Sequence, residues 1–179
     1  MRPLVFCLGL LAATGSARAQ HHTISAAGLE TVHLCDPLTR VDSLFAHALD
    51  TLIVGEADTR WPARVVHLDD HRFVLFESSW ADTARVWRIS TTSPQYQTHR
   101  GVHVDMPLST FKRGGEDLTM HFPEGRVVLG INRDSVSALL DDSTSALLQE
   151  HPSDTWKLVS GAGHITQLFV SGSCRRPAH

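Results

Sequence analysis

Histidine is the residue type with the most chemistry to offer in this chain. All 12 lie beyond position 20, and imidazole is both a metal ligand and the side chain that titrates nearest neutral pH. His67 and His71 flank Asp69, but Asp69-Asp70 reads as a turn that breaks their shared face. His99 and His103 stand four apart, yet the Arg100-Gly101 between them argues against the helix that would align them. Gln20-His21-His22 is the sharper case. If a leader is removed after Ala19, His22 becomes third from a free amine. The amine, two backbone amide nitrogens and that imidazole can surround Cu(II) or Ni(II) in a square plane. His21 and His22 are therefore candidate metal ligands, provided that Gln20 does not cyclise and consume the amine. No HExxH, Cys/His cluster or facial-triad spacing occurs, so surface placement accounts for the other histidines.

Signals for hydrolysis are thinner. Val159-Ser160-Gly161-Ala162-Gly163 carries its serine before both glycines, unlike a GxSxG elbow, and reads as a turn. His103 and Asp105 can orient one another, but no nucleophile can be argued beside them. The pairs Asp69-Asp70, Glu116-Asp117 and Asp141-Asp142 fall at turns and element ends, where capping explains them. No phosphate-cradling glycine loop or dinucleotide fingerprint is present. The pattern instead favours binding. Trp87 lies on a strand with Arg85 and Arg88, and Trp and Arg dominate interaction hot spots. Tyr96 and His103, in the Ser90–Asp105 loop, complete the candidate binding set.

The elements that position these residues begin after a leader. Arg2, the apolar stretch Leu4 to Ala13 and Ala17-Arg18-Ala19 match a secretory signal peptide over residues 1–19. The expectation is a secreted or periplasmic chain with no transmembrane segment after processing. Loss of Arg2 and Arg18 takes 16 basic residues to 14 against 19 acids, moving the formal charge from −3 to −5. An acidic domain lacking a basic patch is not expected to bind nucleic acid. Export leaves Cys35 and Cys174 where disulfides persist, so a structural bridge between them is expected.

Residues 20–34 read as a loose arm, 35–174 as one α+β domain and 175–179 as a tail. Leu38, Val41, Leu44, Phe45, Ala48, Leu49, Leu52 and Ile53 recur at spacings of three and four, which predicts an amphipathic helix over 37–53. Asp36-Pro37 would start it and Gly55 stop it. Short β runs follow at Arg64–Leu68, Arg72–Glu77 and Ala84–Ser90. The second half repeats the order with a shorter helix from Pro107 to Arg113. Then come a hairpin of Leu118–Phe122 with Arg126–Ile131, a strand at Val136–Leu140, a capped turn at Asp142–Glu150 and a closing strand at His164–Val170. The expected fold is an antiparallel sheet carrying two helices, as two helix-plus-meander halves in one sheet. The alternative is a single curved sheet wrapped around helix 37–53.

The stretch Ser93-Pro94-x-Tyr96-x-Thr98-x-x-Gly101-Val102-x-Val104, followed by Met106-x-Leu108, resembles a segment of small exported bacterial α+β proteins. These are of the β-lactamase-inhibitory-protein-like type and include small lipoproteins of outer-membrane assembly. Asp105 stands where that segment has a second glycine. The resemblance implies a binding or scaffolding role with no catalytic residues. The expected function is therefore a non-catalytic envelope or secreted module that binds a protein or another ligand. The alternative is a small hydrolase or metal-dependent enzyme whose site assembles from distant residues.

Overall fold

A computed structural model describes residues 21–55, 58–110, 118–123, 126–150 and 163–174. The expected leader, the C-terminal tail and the later part of the Pro107–Arg113 helix lie outside these residues. One eight-stranded antiparallel sheet dominates. Its strands are β3 (Leu49–Val54), β4 (Arg60–His67), β5 (Phe73–Glu77), β6 (Arg88–Thr91), β8 (Leu118–His121), β9 (Val128–Ile131), β10 (Val136–Leu140) and β11 (Ile165–Ser171). Their order is β3-β4-β5-β6-β11-β10-β9-β8, two four-stranded meanders joined where β11 pairs with β6.

The residues expected to form a loose arm are built in. β1 (His22–Ser25) and β2 (Gly28–Leu29) join β7 (Tyr96–Gln97) in a small three-stranded sheet. Ile24 and Val32 are wholly buried, and their apolar area anchors this segment over the large sheet.

The predicted helix over 37–53 is corrected by the structure. Helix α1 spans only Leu38–Leu44, with Pro37 at its N-cap and extended backbone at Phe45. Asp36 does not cap it; its carboxylate accepts the His33 N–H instead. From Leu49 onward the chain is strand β3, in antiparallel register with β4 at six successive positions. Gly55 is therefore a hairpin residue, not a helix stop. An added Cβ there would come within 2.6 Å of the Trp61 ring. The stripe that reads as buried is in part exposed: Leu44, Leu49 and Leu52 show 46%, 55% and 57% of their surface. Thr51, Ile53 and Val54 are β-branched, a type that suits a pleated strand.

The Pro107–Arg113 helix appears, among its described residues, as a 3-10 turn at Leu108–Thr110. The capped turn at 142–150 is a full helix, α2 (Asp142–Glu150). Asp141 caps it, accepting the Thr144 N–H at 2.9 Å and the Ser143 hydroxyl at 2.5 Å.

One face of the large sheet carries the core. Val74 and Phe76 of β5, Ile89 of β6, Leu168 of β11, Ala138 of β10 and Leu129 of β9 are all fully buried. They join Val41, Tyr96, Val104, Leu108 and Leu148 from the covering elements in one apolar cluster. Phe45 at the end of α1 stacks on Phe76, with ring centroids 5.6 Å apart.

The Cys35–Cys174 disulfide closes the structure over a separation of 139 residues, with Cα atoms 5.4 Å apart. Around it the first covering segment is stitched to the chain before β6. Cys35 N–H donates to Val86 O at 2.7 Å, Val86 N–H to Asp36 O at 2.8 Å and Leu38 N–H to Ala84 O at 2.9 Å.

Candidate functional site

The second face of the large sheet is only partly covered, and it carries the charge. Strand alternation puts Leu75 and Glu77 of β5, Arg88 and Ser90 of β6, Gln167 and Phe169 of β11, and Leu139 of β10 on this side. The sheet curls about it. Val54 at the end of β3, Pro123 beyond β8 and Arg126 before β9 line the same cavity as Arg88 and Phe169, although β3 and β8 are opposite edges of the sheet. The open cavity has a volume of about 690 Å3.

Glu77 and Arg88 form the wall's fixed charge. They are register partners across β5 and β6. Arg88 donates from Nε to Glu77 Oε1 at 2.7 Å and from Nη2 to Oε2 at 2.5 Å. The Glu77 side chain is 2% exposed and that of Arg88 33%. The guanidinium also lies 5.3 Å from the Trp87 ring centroid and 6.0 Å from that of Phe169. A guanidinium near aromatic rings gains cation–π attraction, and a bidentate pair fixes its rotation as well. Two residues along the same strand face, Ser90 is 1% exposed and its Oγ has no hydrogen-bond partner among the described residues.

The other residues singled out from the sequence are distributed. Arg85 lines a pocket of about 300 Å3 at the disulfide end, together with Trp87 and Cys174. There it is tied down, donating from Nη1 to Cys35 O at 2.9 Å. Tyr96 is buried in the covering layer, where its ring meets His22 at 5.3 Å. Burial, and then the nearby Glu30 carboxylate, push the Tyr96 phenol up from its ordinary range. His103 is half-buried, with Nδ1 2.7 Å from Val104 O. Thus Trp87 and Arg88 meet, Tyr96 and His22 meet, and the set does not form one site.

The histidine pairs considered for metal are also placed. Asp69 accepts the N–H groups of His71 and Arg72 at 2.9 and 2.8 Å, so the turn separates His67 from His71. Those donors, the His71 amide first, hold the Asp69 carboxyl below its ordinary range. His22 N–H donates to Gln95 O at 2.9 Å. An ion seated on the deprotonated His22 amide must break that bond. The His21 side chain is exposed.

The sequence reading did not single out Glu77, Ser90, Arg126 or Gln167. The signal for Glu77 was a carboxylate ending an otherwise apolar strand. Arg126 and Gln167 carried none, because the β6–β11 pairing that unites the two meanders is non-local.

No protein-family model matches the chain, and no curated protein matches it. Among solved structures it is similar to the crystal structure of the uncharacterized protein YfeY from Escherichia coli. The TM-score is 0.57 at 10% identity, over 85% of this chain and 99% of that one. At such identity the likeness is one of fold.

Proposed function

We propose that this chain is an exported, non-catalytic binding module of the bacterial envelope or secretome, and that its ligand sits in the cavity of the curved sheet. The single observation that carries the reading is the Glu77–Arg88 pair. A buried ion pair is seldom the most stable filling for a protein wall, since a well-packed apolar pair does as well or better. Here it leaves an immobilised guanidinium facing an open cavity, which suits recognition.

Export rests on the leader pattern of residues 1–19 and on the Cys35–Cys174 bridge, a bond that persists in oxidising compartments. The sheet face is favoured over the Ser90–Asp105 loop because Tyr96, Thr98, Val102 and Val104 of that loop are all buried. Binding is favoured over hydrolysis because the described cavity lining offers two guanidinium groups, an amide and a hydroxyl, with no imidazole or thiol beside them.

Native mass spectrometry of protein recovered from the exported fraction tests this. The expected species begins at Gln20, contains the oxidised cysteine pair and carries a non-covalent small molecule. A Leu139→Trp variant, which fills the cavity, loses that molecule. Equal occupancy in both proteins contradicts the site.

A further inference from the structure

We propose that the cavity takes an organic anion, a carboxylate on a compact apolar body, held by the free edge of the Arg88 guanidinium. This rests on the cavity being the ligand site.

Arginine presents five N–H donors in a planar fork. Glu77 occupies two of them, through Nε and Nη2, along one edge. The adjoining edge, made of Nη1 and the second Nη2 hydrogen, has no partner among the described residues. Its two N–H vectors are parallel and match the two oxygens of a carboxylate. The Trp87 and Phe169 rings and Glu77 hold the fork in place before any ligand arrives, so little ordering is lost on binding.

Net charge decides the sign of the ligand. Both Glu77 oxygens are already engaged, so the pair is neutral. Arg126, which lines the same cavity, has no carboxylate partner among the described residues, and the described lining residues add no further acid. The surplus is positive. Ser90 supplies an independent pointer: a buried hydroxyl in the same wall with no acceptor among the described residues, a state that folded proteins seldom tolerate. An anion on Arg88 brings an oxygen acceptor to this region. Val128, Leu139 and Phe169 provide the apolar surface for the body of the molecule.

The test is isothermal titration of the disulfide-intact protein with 2-naphthoate and with its neutral isostere 2-naphthamide. The expected result is binding of naphthoate about ten-fold or more tighter than the amide, as for one charge-assisted contact. Arg126→Ala, a change at an exposed side chain, weakens naphthoate about five-fold or more and leaves the amide unchanged. Ser90→Ala weakens naphthoate without lowering the melting temperature. Equal affinity for the two probes overturns the anion assignment and leaves the cavity standing as a ligand site. A naphthoate preference that survives both substitutions puts the anion elsewhere and overturns the proposal. If neither probe binds, both the anion class and the cavity reading fall.

Discussion

Glu77 and Arg88 face each other across β5 and β6, and Arg88 donates two hydrogen bonds, of 2.7 and 2.5 Å, to the Glu77 carboxylate at the wall of the cavity. Neither side chain can be lost alone at low cost. Arg88→Met strands a carboxylate that is 2% exposed, and breaking such a pair destabilises by about 3–5 kcal/mol. The double variant Glu77→Met/Arg88→Met removes the orphan and recovers most of that loss. Urea denaturation of the two singles and the double gives the coupling directly. Simple additivity of the two singles would show that the residues act independently.

The disulfide closes a loop that spans nearly the whole described chain. Its removal as Cys35→Ser/Cys174→Ser is expected to cost about 2–4 kcal/mol. The loss should be local as well as global. Amide exchange at Cys35, Leu38 and Val86, whose N–H groups stitch the covering segment to the chain before β6, should accelerate before that of Val74 or Phe76. Uniform acceleration throughout the sheet contradicts this.

Asp141 links helix α2 to the start of β11. Burial alone would raise its pKa. Hydrogen bonds from the Ser143 hydroxyl, the His164 N–H and the Thr144 N–H and hydroxyl outweigh this and hold it well below the usual carboxylate range. A folded pKa below the unfolded value of about 3.9 stabilises the fold above pH ~4, and that contribution is lost as pH falls through the folded pKa. Asp141→Asn keeps a capping oxygen and should flatten the acid limb of the stability curve. Asp141→Ala removes the cap and should cost about 1 kcal/mol or more at neutral pH. An unchanged acid limb in the Asn variant counts against this role.

Asp105 has a φ of 68°, in the left-handed region, where its N–H donates to Ile165 O at 2.8 Å. Glycine enters this region freely, and aspartate does so more readily than most residues. Asp105→Gly should leave stability within a few tenths of a kcal/mol of wild type, whereas Asp105→Val should lose about 1–2 kcal/mol. Thermal denaturation of the pair decides it, and equal losses would mean that backbone geometry is not what matters there.

Much of the sheet was legible from local pattern. Phe73–Glu77, Val136–Leu140 and the hairpin of β8 with β9 read as strands because turn residues bound short alternating or apolar runs. Helix 37–53 misled because apolar spacing alone cannot separate a helix from a short helix followed by a strand. The β-branched Thr51, Ile53 and Val54 were the better guide to β3. Arg88 and Trp87 were singled out from the sequence, and their side chains do meet. Their companions were not, because Ser90, Arg126 and Gln167 meet only once β11 inserts beside β6 and the sheet curls. Asp105 is a further case. Its aspartate gave no sign in the sequence of the left-handed backbone found there.

Chemical-shift mapping with 2-naphthoate tests the central claim most directly. Spectra of the disulfide-intact protein should shift at the Arg88 Nε–H and at Val54, Val128, Leu139 and Gln167, the residues around the cavity. Arg85 and Ser173 at the disulfide end, and Tyr96 to His103 in the covering layer, should stay still. Shifts confined to either of those regions, or no shifts at saturating probe, would contradict the account.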